Sequence, residues 1–174
     1  MDQPSQHSMA SLIGAEQKAD LLYVDPRQQL GVLDEFYPDG AATLDRCLPV
    51  HEAMAPNAVG LFHVRLRDLA VVQGELLPRC GFGLWRRMLP LEHRPPAQLP
   101  RTRVLLVAVR GQPDLALPPI GDWTFPPPGT DPMAIAERLF PAANRRLQIF
   151  ADANRPGWIS LSPAETWIDP PTLR

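Results

Sequence analysis

Short unbroken apolar runs recur along the chain, and each is closed by a turn signal. "LLYV" (21–24) stops at an Asp-Pro pair, and "NAVGLFHVRL" (57–66) starts behind Pro56. "TRVLLVAVRG" (102–111) is a β-branched run closed by glycine, while "RRLQIFA" (145–151) and "GWISL" (157–161) follow near the end. Runs that are apolar at consecutive rather than alternate positions read as strands buried on both faces. The segments between them have helical character. Residues 67–79 suit a helix with Asp68 near its start and Gly81 after its end, and "DPMAIAERLF" (131–140) offers Asp131 as N-cap with Pro132 at the first helical position. A weaker helical pattern over Thr43 to Ala55 is interrupted by Pro49. Strands alternating with helices predict an α/β sheet covered by helices on both faces.

Proline shapes the rest. "QPDLALPPIGDWTFPPPG" (112–129) lacks the backbone donors that a helix or central strand needs, so it reads as a long semi-rigid loop. At 174 residues and 45% hydrophobic content, the chain suits one domain with a sizeable core. That domain is expected over 19–168, with 1–18 a flexible N-terminal segment and 169–174 a tail. No apolar run reaches about 18 residues and no leader pattern opens the chain, so a cytoplasmic location without membrane contact is expected. Cys47 and Cys80 stand apart from one another and from any paired histidine ligands, which predicts core thiols rather than a metal site or a disulfide.

The net charge of −2 hides an uneven distribution. Residues 1–60 hold nine acids and three bases, whereas residues 61–110 hold three acids and nine bases, every base an arginine. Arginine forks suit phosphate, so Arg86, Arg87, Arg101 and Arg103 are candidate nucleic-acid contacts if the fold gathers them on one face. The alternative is pairing with the acidic first block inside the domain.

In an open α/β sheet, ligands lie outside the carboxyl ends of the strands. The strand ending "YVDPRQ" delivers Asp25 there, with Pro26 fixing the turn behind it. A carboxylate so placed can accept from a ligand amine or a ribose hydroxyl; the plainer alternative is an ordinary Asp-Pro turn. His63, inside an apolar strand, reads as a satisfied buried group, and "HEAMA" (51–55) as a solvated helix face. The tryptophans read as core or loop anchors.

Several segments taken in order resemble the MT-A family of S-adenosylmethionine-dependent adenine-N6 methyltransferases, which includes the writers of messenger-RNA N6-methyladenosine. "LLYVDPRQ" stands where the family has a strand ending in DPPW. "YPDGAATLDRCLPV" (37–50) is similar to the family's Tyr-Pro and Leu-Pro-Val pair. "APNAVGLFHV" (55–64) is similar to its next strand, with His63 where tryptophan is usual. "CGFGLWRRMLP" (80–90) and "RVLLVAVRGQP" (103–113) resemble the following strands, and "AERLFPAANRRLQIFADANRPGW" (136–158) resembles the family's ending. The resemblance covers residues 19 to about 162 and implies a single Rossmann-like methyltransferase fold.

The departures fall on the positions that the resemblance would assign to chemistry. Asp25 and Pro26 match the family's base-holding motif, while Arg27 and Gln28 replace its second proline and its tryptophan. Pro128 stands where a cofactor-contacting lysine is usual. Ser162, Pro163 and Ala164 replace a turn that holds the cofactor ribose, leaving Glu165 one step away to compensate. The resemblance therefore implies a degenerate homologue, inactive alone, with no required cofactor, acting as a nucleic-acid-binding module or as the partner of an active methyltransferase subunit or of a second copy. The alternative is an active N6-adenine methyltransferase of DNA or RNA that uses S-adenosylmethionine, with Asp25 as amine acceptor and Glu165 at the ribose. In the degenerate case Arg27 or the "PPIGDWTFPPP" loop is expected to fill part of the cleft; Trp123 could also stand in for the missing aromatic wall.

Overall fold

In a computed structural model of the chain, the residues described are 8–26, 49–113 and 124–166, and every structural statement below concerns these. Six strands form one sheet: β1 (Ala19–Val24), β2 (Met54–Arg65), β3 (Trp85–Pro90), β4 (Arg103–Arg110), β5 (Arg146–Ile149) and β6 (Trp158–Leu161). Their spatial order is β3-β4-β2-β1-β5-β6. β1 lies parallel to β2 and β5, and β5 parallel to β6, while β4 runs against both of its neighbours. The sheet is thus mixed and mostly parallel, as the alternation of strands and helices predicts.

The two faces are packed separately. On one, Leu22, Val24, Phe62, Val64, Leu106 and Ile149 lie under α1 (Met9–Ile13), α2 (Val50–Ala53) and a longer helix, α3 (69–79). On the other, Leu21, Tyr23, Leu61, Leu105 and Val107 lie under α4 (Pro132–Leu139), with Phe140 and Trp158 closing the layer. Adjacent residues of β1 enter opposite cores, which is why its apolar run is unbroken. Each such leucine or valine contributes roughly 1.5–3 kcal/mol on burial.

Three details depart from the expectations. The N-terminal segment expected to be flexible carries α1 from residue 9. Ser8 and Ser11 cap it reciprocally, and Met9 and Leu12 are buried in the first core. β2 begins at Met54, ahead of Pro56 rather than behind it. Between the pairings Ala19↔Met54 and Leu21↔Val59 the register slips, so exposed Pro56 and Asn57 occupy a bulge where no ladder donor is required. α3 runs as α over Leu69–Val71, widens to a π turn over Val72–Leu76 and returns to α over Leu77–Arg79. The widening precedes Pro78, whose ring would otherwise meet the carbonyl of Gly74. Gly81, at φ 83°, ends the helix as its position predicts.

Candidate functional site at the carboxyl ends of β1 and β5

From β1 the chain proceeds to β2 on one side, and from β5 to β6 on the other, so a crevice opens between the carboxyl ends of β1 and β5. A cleft of about 590 Å³ lies there, lined by Tyr23 of β1 and Asp25 just beyond it, Gln148 and Phe150 at the end of β5, Glu137 of α4 and Arg155 of the β5–β6 loop.

Its floor is a buried polar chain. His63 Nδ1 lies 3.1 Å from Asp25 Oδ2 and 3.3 Å from Tyr23 Oη. A carboxylate only accepts, so Nδ1 carries the proton and donates to Asp25, and the Tyr23 oxygen is left as a weaker second acceptor. The other ring nitrogen, Nε2, is buried without a partner among the described residues. Among the described residues, then, only one of the two ring nitrogens of His63 is satisfied. Pro26 is buried behind Asp25.

The rim is an ion-pair lock. Arg155 Nε and Nη2 donate to Glu137 Oε1 and Oε2 at 2.7 and 2.8 Å, and Nη1 donates to Asp131 Oδ2. Trp158 Nε1 adds a fourth donor, 2.7 Å from Glu137 Oε1. The Arg155 fork, aided by the indole N–H, holds the Glu137 carboxyl down at about 2 against some opposition from desolvation, and raises Arg155 above its ordinary value in return. Asp131 has a second task, since its Oδ1 accepts from Met133 N at 3.0 Å as the N-cap of α4. The lock thus ties the start of α4 to the β5–β6 loop. Beside it, Phe150 holds φ at 58°, a left-handed conformation that costs a bulky residue of order 1 kcal/mol. Its N–H donates to Thr166 Oγ1 at 3.3 Å, joining the end of β5 to α5 (Pro163–Thr166).

Of the five residues assigned to a cofactor, Asp25 lines this cleft. Pro128 is exposed in a tight turn, where Thr130 N donates to Pro127 O at 3.1 Å and Gly129 takes φ 81°. Ser162 precedes α5, which Pro163 begins, and both the backbone N–H and the hydroxyl of Ser162 donate to Glu165 Oε2 at 2.8 Å. This is the Glu half of a capping arrangement, one strand beyond the crevice. Arg27, Gln28, Trp123 and residues 118–122 lie outside the described residues, as does Cys47. Phe125 is exposed and stacks edge-on with His93, at 6.0 Å between ring centres. Cys80 is a buried thiol whose pKa burial pushes up, as expected of a core cysteine.

The four arginines assigned to nucleic acid separate into two pairs. Arg86 and Arg87 sit at the start of β3 opposite Val107 and Ala108, whereas Arg103 opens β4, roughly 14 Å away along the strand pair, and Arg101 ends the 3-10 turn just ahead of it. Arg103 is engaged with Glu92, which also holds Arg94. Among the described residues the middle-block ion pairs are local, to Asp68, Glu75 and Glu92, rather than to the acidic first block.

Reasoning from sequence missed the rim as a unit. Asp131 was legible as a cap, but nothing in the sequence pairs Glu137 with Arg155 across 18 residues. No protein-family model matches the chain, and no curated protein matches it. Among the described residues no helix is long and apolar enough to cross a membrane, and no group of three or more His, Cys, Asp or Glu side chains is placed to hold a metal ion.

Proposed function

We propose that the protein is a degenerate relative of the MT-A adenine-N6 methyltransferases, with a Rossmann-like fold, that keeps the cleft of such an enzyme but does not methylate adenine by itself. The observation that carries this reading is the internal engagement of groups that the resemblance would give to ligands. Asp25 is bonded to His63, and Glu165 to Ser162. S-adenosylmethionine presents a carboxylate, a ribose diol and a sulfonium cation. Among the described residues the one arginine lining the cleft is already forked by Glu137 and Asp131, Pro128 has no donor, and Glu165 closes a helix cap. These residues do not fit the cofactor as a whole, so no methyl-transfer step is derived. A cytoplasmic location and service as the partner of an active methyltransferase subunit belong to the same reading.

The active-enzyme reading draws support from one feature, the open cleft at the switch point with Asp25 on its floor. Two measurements separate the readings. Calorimetric titration with S-adenosylmethionine and with its demethylated product is expected to give no heat of binding, and labelled cofactor is expected to leave no methyl group on mixed DNA and RNA. Micromolar binding, together with incorporation that disappears in Asp25→Ala, would establish the enzyme instead.

A further inference from the structure

The edge of the sheet farthest from β6 carries a surface that the cleft does not use. Leu84, just ahead of β3, and Trp85 and Met88 within it are 63%, 36% and 38% exposed, an uncommon density of large apolar side chains on one short segment. The register of β3 on β4 slips between Trp85↔Ala108 and Arg87↔Val107. Trp85 and Arg86 therefore share one step of the ladder, and such a bulge re-aims the side chains it carries. Leu89 belongs to the second core, so strand alternation sends Met88 and Arg86 to the opposite side. An exposed indole, an exposed guanidinium and a thioether follow one another on a single ridge.

Among the described residues its charge is uncompensated. Residues 76–91 contain three arginines and no acid. The bounding acids are occupied, Glu75 by Arg79 at 3.5 Å and Glu92 by Arg94 at 2.9 Å. Among the described residues neither Arg86 nor Arg87 has a carboxylate partner; Arg87 Nη1 donates to Arg86 O at 3.1 Å, and its Nε is buried with no acceptor.

The geometry points to this ridge as a docking site for single-stranded nucleic acid, with a base stacked on Trp85 and a phosphate held by Arg86. Every base has a π-face that an indole can cover, and arginine forks match phosphate oxygens. A duplex keeps its bases inside the stack, out of reach of a strand edge. A second copy joined edge to edge would set these arginines against their own kind. The inference does not rest on the methyltransferase reading, because none of these residues touches the cleft.

The test is fluorescence anisotropy with labelled single strands of about 12 nucleotides, RNA and DNA, against a duplex of the same sequence. Single strands should bind, and the duplex should bind more weakly. Trp85→Ala should weaken binding at least about fivefold, the lower end of a lost stacking contact. Arg86→Gln should lower the slope of log K against log salt by about 0.7, the release from one single-strand phosphate. Arg86 is exposed, so this variant keeps the fold. No single-strand binding at about 50 mM salt would overturn the proposal. So would equal binding of the duplex, full competition by polyglutamate, or a dimer seen by light scattering that Trp85→Ala dissolves. The last two would assign the ridge to an acidic protein or to a second copy.

Discussion

The rim and the floor of the cleft solve opposite electrostatic problems a few residues apart. At the rim each arm of the Arg155 fork finds a carboxylate oxygen, and the indole N–H of Trp158 completes Glu137. At the floor a fully buried imidazole shares one nitrogen between a carboxylate and a phenol, and its second nitrogen has no partner among the described residues. Ion pairs that are matched and partly wet stabilise, whereas buried polar groups that are only partly matched stabilise little for the hydrogen bonds they make. The rim should therefore carry stability, and the floor should be close to neutral.

The sharpest way to break that contrast is Arg155→Ala. It removes three charge-assisted hydrogen bonds and leaves Glu137 and Asp131 facing each other with only the Trp158 donor between them. Such bonds are worth roughly 1.5–3 kcal/mol each when buried. Solvent reaches both partners here, so the expected loss in urea unfolding is about 2–3 kcal/mol in total. A loss below about 0.5 kcal/mol would reduce the rim to an ordinary surface pair.

The pH dependence of stability sharpens the same point. Glu137 is held at about 2 against an ordinary 4.5. A lowered folded-state pKa means that the contribution is complete above 4.5 and disappears as the pH falls toward 2. The urea midpoint of the protein should drop through that window, and Glu137→Gln should flatten this part of the curve. An unchanged curve in the variant would assign the acid lability to other carboxylates.

These two regions also mark what the sequence could reveal. The apolar runs located five of the six strands, because burial on both faces leaves a continuous signal; β3, WRRMLP and largely exposed, has no such run and was marked only by the family resemblance. Asp131-Pro132 located the start of α4. Asp25 was legible as a strand-end carboxylate. The rim was not legible, since a contact between Glu137 and Arg155 depends on how the β5–β6 loop folds back over α4. The bulge that turns Trp85 outward has no local signature either; a tryptophan in an apolar segment reads as core until the register is known. The Ser-Pro-Ala-Glu box at 162–165 could have been read from capping chemistry alone, yet the family resemblance assigns the same residues to a ribose. Membership of that family stays a proposal.

Glu165→Ala is the next smaller test. If Glu165 serves the cap, its loss frees the Ser162 donors and costs about 1 kcal/mol, within the usual range for a helix cap, and Glu165→Gln recovers part of it. A ribose-holding Glu165 would behave differently, changing S-adenosylmethionine binding with no change in the melting temperature.

The smallest effect is expected at the floor, from His63→Phe. The substitution gives up contacts at 3.1 and 3.3 Å, worth about 1 kcal/mol each at most. Against that, it removes a buried nitrogen with no partner among the described residues, whose desolvation costs about 1–3 kcal/mol. Asp25 lines the open cleft, so water can take over the role of the imidazole there. The phenyl ring keeps the planar shape that packs beside Tyr23. The two effects nearly cancel, and the urea midpoint at neutral pH should move by less than about 1 kcal/mol in free energy, in either direction. A loss above about 2 kcal/mol would mean that Nε2 has a partner after all, and that the floor is a completed network like the rim. Combining His63→Phe with Arg155→Ala then tests independence. Additive losses keep rim and floor as separate devices, whereas a coupling above about 0.5 kcal/mol would join them into one.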